Sequence, residues 1–447
     1  MRLPVNIKSR HHIFLVVLII FSICFYIFLI SAYDLPAHII WQDYLKSTLQ
    51  PTEINNDIFN FPPASSRVIR AVCETTRWNP EIAFTCDNSV GGVGNIRNSI
   101  LNCVRYAISA GASLVIPRII LRKSQDISKI RTGERTGMDF MFDVPHFIDS
   151  LKLSCPQLVL YRYVDDVPNR AKGSGPITLL PESLFSEVIP KTGLEHPETW
   201  RGLFQDWLDV VSSSTMKVTM ETPVLIELGR SYLQYPIYSD DEDFALSFGS
   251  ILKFRQDVRI LATTVLQNLL STYNILRDIS HPILPDAFFG VHLRTEIDAV
   301  KAWPGNDWIY QRYKVQAKHY LHKIASTNLT LIYVASGNKT EIARFSRDAA
   351  AYNLTTKFML LDAKDREHLN TLAWDQQALV DFLVMTKSSV FVGIGHSSFA
   401  WNVALKRHVY SEMKEGYLDG PEVLSDELSE VFGVTGMYPE YAACLWP

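Results

Sequence analysis

Three short stretches carry residue types whose spacing could do chemistry. In Val291-His292-Leu293-Arg294-Thr295-Glu296, alternation along a strand puts His292 and Arg294 on one face. An arginine at a strand end presents a fork of donors that matches phosphate. The second stretch, Val390-Phe391-Val392-Gly393-Ile394-Gly395-His396-Ser397-Ser398-Phe399, has glycines for a tight turn and serines where a new helix would open. Hydroxyls and backbone N–H groups there suit an anion. The third is glycine-rich, Gly91-Gly92-Val93-Gly94-Asn95. Together these groups could neutralise a departing diphosphate. Glu296 and Asp298, just beyond Arg294, are the nearest carboxylates for accepting a proton. Each motif alone also has a plainer reading: a surface arginine, a helix-capping serine, a solvated loop carboxylate.

The elements that must position these residues read as alternating strands and helices. Ile82-Ala83-Phe84-Thr85 is a short apolar run. After the glycines, Ile96, Ile100, Cys103, Val104, Ala107 and Ile108 follow helical spacing, Gly111 can end that helix, and Leu114-Val115-Ile116 reads as a buried strand. This is a βαβ unit. Further strands are expected over Ala287 to Leu293, Leu329 to Ala335 and Val390 to Val392, with a helix over Gln377 to Thr386. The order fits an α/β protein of two Rossmann-like domains, residues 78–284 and 285–447.

The remaining features place this body in a cell. With 43 Lys and Arg against 47 Asp and Glu, the net charge of -4 gives no basis for expecting nucleic acid. Ile13 to Ala32 has no charged residue and is long enough to cross a bilayer as one transmembrane helix. Arg2, Lys8 and Arg10 precede it, so residues 1–12 are expected to be cytoplasmic and the rest lumenal, in a single-pass type II protein of the Golgi or endoplasmic reticulum. Residues 33–77, with four prolines, read as a stem. Sequons at Asn328, Asn338 and Asn353 agree with that side of the membrane. Cys24 lies in the span, and the other five cysteines are an odd set; Cys73 with Cys86 is a plausible local disulfide, and Cys103 a buried thiol.

Rival chemistries are weaker. Asp241-Glu242-Asp243 has the form of a metal-binding Asp-x-Asp, but such acidic runs are usually solvated, so no metal is expected. Gly92-Val93-Gly94 begins a dinucleotide fingerprint whose third glycine position holds Arg97. Gly395-His396-Ser397-Ser398-Phe399 lacks the last glycine of a hydrolase nucleophile elbow.

In their order and spacing, the three motifs resemble the GDP-fucose-dependent fucosyltransferases of the protein O-fucosyltransferase and α1,2/α1,6-fucosyltransferase superfamily. The resemblance implies a GT-B-like architecture whose two domains face a cleft, residues 78–284 on the acceptor side and 285–447 holding the donor, and an inverting transfer of fucose from GDP-fucose to a protein or glycan hydroxyl, without metal or other cofactor. By position, Arg294 would help GDP leave and His292 would lie against the donor. Ser397, Ser398 and Phe399 would line the phosphate and nucleotide pocket, Asp381 would support the site, and Gly94 and Asn95 would approach from the opposite domain. Glu296 is the candidate catalytic carboxylate. Where many members carry an aspartate, this chain reads Ala335-Ser336-Gly337-Asn338, which admits a second reading as a catalytically silent lumenal binding or scaffolding relative. Residues 161–243, poor in donor-type motifs, are expected to hold acceptor specificity.

Overall fold

Short apolar runs buried on both faces make the strands, as parallel sheets covered by helices require. The first half contains β1 (Ile82–Thr85), β2 (Ser113–Val115), an antiparallel hairpin of β3 (Arg118–Ile120) and β4 (Arg135–Gly137), then β5 (Leu160–Tyr161), β6 (Ile177–Leu179) and β7 (Val224–Leu228). The second half contains β8 (Phe289–His292), β9 (Leu331–Ala335), β10 (Asn353–Thr355), β11 (Val390–Ile394) and β12 (Ser429–Phe432). Two five-stranded sheets result, ordered β5-β2-β1-β7-β6 and β10-β9-β8-β11-β12. Every pairing within them is parallel. The fold is thus mixed α/β with parallel sheets.

This computed structural model describes residues 56–447 apart from 124–125, 130–131, 169–174, 216–222, 232, 297, 300–308 and 413–423. The Ile13–Ala32 span, residues 1–12 and the first part of the stem lie outside the described residues. Among those described, no helix is long and apolar enough to cross a membrane.

The Val93–Ala110 helix joins the halves. Fifteen of its eighteen residues are buried, because one side covers β1 and β2 while the other meets the Ser398–His408 helix and the C-terminal tail. Arg97, in the place of the missing fingerprint glycine, donates to Asn402 Oδ1 at 3.1 Å and to the Trp446 and Pro447 carbonyls, both at 2.5 Å. Asn98 donates to Cys444 O at 2.8 Å and accepts from Trp446 N at 3.1 Å, and Asn102 accepts from Trp446 Nε1 at 2.7 Å. Residues 439–447, read from sequence as part of the second domain, therefore pack on the first. Apolar side chains of both halves also share one core, in which Phe254 meets Phe382 edge-on at 5.2 Å.

Two further expectations are corrected. Residues 57–77 are not stem: Asp57 begins the globular body, and pairs with Arg259 at 2.9 Å. Ser66 caps the Arg67–Thr75 helix, which buries Ile69 and Cys73. That helix is too short for its periodicity to outweigh the prolines before it. The disulfides are Cys73–Cys155 and Cys86–Cys103, with Cys444 free and buried. Cys86 follows β1, and the helix returning over that strand brings Cys103 to it. Cys73 instead faces the Cys155 C-cap of the Val144–Ser154 helix.

Peptide mapping of unreduced protein should recover Cys73 linked to Cys155 and Cys86 linked to Cys103. Cys155→Ser, which opens the longer loop, should lower stability by about 2–5 kcal/mol in denaturant titrations. A methyl group at Gly94 would lie 2.5 Å from the Ser398 carbonyl oxygen and 2.6 Å from Asn402 Nδ2. Gly94→Ala should accordingly cost about 1–3 kcal/mol and lower the melting temperature, by forcing apart the helices that join the halves.

Candidate active site

In the second sheet the strands, ranked by chain order, run 3-2-1-4-5, so connections leave β8 and β11 in opposite directions. A crevice opens beyond the carboxyl ends of those two neighbours, and both sequence motifs sit there. His292 ends β8, Arg294 follows it, and Gly395 to Ser398 follow β11. Across the crevice stands the glycine loop after β1. Gly91 adopts φ +113, a backbone conformation that side chains rarely allow, and turns the loop into the Val93–Ala110 helix. The cavity between them has a volume of about 340 Å³ and is lined by Gly91, Gly92, Asn95, His292, Arg294, Asp381, Ser397, Ser398 and Phe399 among others. Gly94, expected near the donor, does not line it; the helix crossing with Ser398 and Asn402 explains that glycine instead.

Arg294 is the centre of the crevice. Its backbone N–H and carbonyl are clamped by Gln316 at 3.0 and 2.8 Å. Its Nη1 donates to Glu296 Oε2 at 2.7 Å and Asp298 Oδ1 at 2.8 Å, and its Nη2 to Asp298 Oδ2 at 2.8 Å. A guanidinium has five N–H groups, and these bonds use three. Two donors, on Nε and Nη2, have no protein partner among the described residues. Burial alone would lower the Arg294 pKa, but the two carboxylates outweigh it and raise it, so the cation is permanent. In return Glu296 and Asp298 are held below the usual carboxylate range despite their burial. Glu296 also accepts from Gly337 N at 2.7 Å. The candidate catalytic carboxylate is therefore fully engaged in positioning Arg294 and poorly suited to taking a proton.

The other motif residues pack around this pair. His292 bonds Ser397 Oγ through Nε2 at 3.0 Å and stacks on Phe399, ring centres 4.4 Å apart. Burial pushes its pKa down to about 4, so the ring is neutral at physiological pH, and its buried Nδ1 lacks a protein partner among the described residues. Ser397 also caps the Ser398–His408 helix, accepting from Ala400 N, so the plain capping role and the site role coincide. Asp381 accepts from Lys357 Nζ at 2.6 Å and Tyr333 Oη at 2.8 Å, which stiffens the wall beneath the cavity. Asn95 brings a buried Oδ1 with no protein partner.

Sequence reasoning misses a second charged group in the same wall. Arg122, from the loop after β3, donates to Asp298 Oδ2 at 2.9 Å, lies 3.5 Å from Asp375 Oδ2, and sits 5.1 Å from the Trp374 ring centre. Asp375 is 6 % exposed, and its Oδ1 has no protein partner among the described residues. Burial pushes its pKa up to about 6; Arg122 and Arg294 oppose that rise and Asp298 adds to it. No spacing marks these residues, because Arg122 comes from the loop after β3 and Asp375 from the first turn of the Trp374–Thr386 helix, far away in the chain. None of the described residues between 161 and 243 lines the cavity.

Elsewhere, Asp241 caps the Glu242–Phe248 helix, accepting from Asp243 N. Among the described residues no cluster of three or more His, Cys, Asp or Glu side chains could hold a metal ion. Asn328 and Asn353 are exposed. The Asn338 side chain caps a helix by accepting from Glu341 N, and its Nδ2 donates to Thr295 O at 3.2 Å.

No curated protein matches the chain. Similar solved structures include POFUT1 in complex with GDP-fucose, at 14 % identity over 80 % of this chain and 100 % of that one, with a TM-score of 0.46. Another is an Arabidopsis thaliana FUT1 mutant in complex with GDP, at 13 % identity over 76 % of this chain and 71 % of that one, with a TM-score of 0.35. The family model of GDP-fucose protein O-fucosyltransferases matches residues 82–410, from β1 through the helix after β11, and the chain belongs to that family.

Proposed function

We propose that the protein is an inverting, metal-independent glycosyltransferase with a GT-B arrangement, which moves fucose from GDP-fucose to a hydroxyl of a protein or glycan. The observation that carries this reading is the Arg294 guanidinium, held rigidly at the sheet's switch point with two donors directed by no protein group. As the bond from the sugar to the diphosphate lengthens, charge collects on the phosphate oxygens. A preorganised cation beside those oxygens stabilises that charge without reorganising. The helix N-terminus at Ser398 and the neutral His292 supply further polar groups beside it, and the glycine loop lets backbone approach from the other half. Lys339 lines the same cavity. In the cell, the Ile13–Ala32 segment would anchor this body in the Golgi or endoplasmic reticulum membrane, with the sequons at Asn328 and Asn353 lumenal. Asn338 suits a glycan less well, because its amide nitrogen already serves the fold.

Purified protein should bind GDP more tightly than UDP or ADP in calorimetric titration, and should release GDP from GDP-fucose. Arg294→Ala should cut that release by about 10²–10³-fold. Arg294→Lys should not restore it, since an ammonium cannot keep both carboxylates and still offer a planar fork. Wild-type turnover by Arg294→Ala would overturn the reading. Turnover should persist in excess chelator; its loss there, with recovery on adding a divalent cation, would refute metal independence.

A further inference from the structure

The carboxylates beside Arg294 are committed to it, which leaves the acceptor hydroxyl without a group to take its proton. Asp375 is differently placed. The cavity that holds Arg294 adjoins a second one of about 620 Å³, lined by Leu121, Lys123, Ile127, Lys129 and Phe140 among others. Three residues wall both cavities: Arg122, Trp374 and Asp375. Asp375 thus stands in the partition between the donor crevice and a groove open on the hairpin side. Its carboxylate is buried with Oδ1 unpartnered, and rotation about χ2, a soft two-fold torsion, can present either oxygen.

We propose that Asp375 is the general base of the transfer, and that the acceptor hydroxyl reaches it along the groove on the Arg122 and Lys129 side. The proposal rests on the transferase reading above. In the step, the acceptor oxygen forms a bond to the anomeric carbon of fucose while its proton passes to the Asp375 carboxylate. The bond from that carbon to the diphosphate oxygen breaks, and its electron pair leaves with GDP beside Arg294. Arg122, bonded to Asp298 and close to Asp375, holds the base at the edge of the Arg294 cluster rather than within it.

The charged groups facing Asp375 are Arg122 from the hairpin loop, and Arg294 and Asp298 from the loop after β8. Glu296 lies behind Arg294, and Asp381 on the same helix as Asp375 is paired with Lys357. Neither arginine titrates near neutrality, and His292, at about 4, is already neutral. A base with a pKa near 6 is ionised above that value, so turnover should rise with pH through about 6 and then level.

The test uses the purified chain, with water as acceptor and GDP release from GDP-fucose as readout. Asp375→Asn should leave GDP affinity unchanged, lower GDP release by about 10²-fold or more, and abolish the rise through pH 6. Asp375→Glu, which keeps the carboxylate, should retain that rise. Azide, a nucleophile with no proton to surrender, should restore GDP release in Asp375→Asn and yield fucosyl azide, and should do nothing for Arg294→Ala. Wild-type release and pH profile in Asp375→Asn would overturn the proposal. Loss of GDP affinity in that variant would do so too, since it would place Asp375 in donor binding, as would the absence of azide rescue with GDP still bound. A wild-type protein that binds no GDP and releases none from GDP-fucose would instead sink the transferase reading beneath it.

Discussion

A buried guanidinium is the constraint on which the rest of the crevice depends. Removing an arginine from water costs several kcal/mol unless anions replace its hydration. Glu296 and Asp298 do so at Arg294, and they in turn are held by Gly337 N and by Arg122. Among the described residues the chain of charges ends at Asp375, whose Oδ1 has no protein partner there. Counted as ionised groups, Arg122 and Arg294 face Glu296, Asp298 and Asp375, two cations against three anions. The cluster is short of one positive charge. Burial is the main reason that Asp375 keeps a proton more readily than Glu296 and Asp298; Asp298 adds to that rise, and the two arginines oppose it.

The cluster has meaning only if the glycine loop of the other half stays opposite it. The packing between halves ensures that. A shared apolar core, the close crossing of the Val93–Ala110 and Ser398–His408 helices at Gly94, and the bonds from Arg97 to Asn402 and the C-terminal carbonyls all span the junction. Interfaces that large and apolar disfavour free motion between domains. Arg97 thus accounts for the broken dinucleotide fingerprint: a glycine there would remove the cation that binds helix, partner helix and tail together.

What the sequence reveals divides along physical lines. Strands β1, β8, β9 and β11 are legible because both their faces are buried, leaving short and largely apolar runs such as Leu331-Ile332-Tyr333-Val334-Ala335. The pairing of His292 with Arg294 follows from alternation, and the turn after β11 from its glycines. Short strands such as Leu160–Tyr161, which gain their partners only in the assembled sheet, leave no comparable pattern. Both disulfides, the docking of residues 57–77 and the return of Trp446 depend on contacts between segments far apart in the chain. Arg122 and Asp375 are hidden for the same reason. Each is an ordinary charged residue in its own segment, and only their meeting in one wall makes them unusual.

The contrast among the carboxylates separates structural from chemical roles. Glu296 and Asp298 have lowered pKa values, so their ionised forms stabilise the fold above the unfolded value, and that contribution is lost as pH falls through the folded one. Asp375 has the opposite sign. Its folded value, near 6, lies above that of an unfolded chain, so the native state binds the proton more tightly. Above both values its ionisation costs the fold about 3 kcal/mol, from a gap of about two pH units at about 1.4 kcal/mol each; below both, the cost is absent. A hydrophobic side chain of similar size would avoid that penalty and still fill the partition. Packing alone does not explain a carboxylate in the wall between two cavities, whereas the transfer proposed above would have a use for its raised proton affinity.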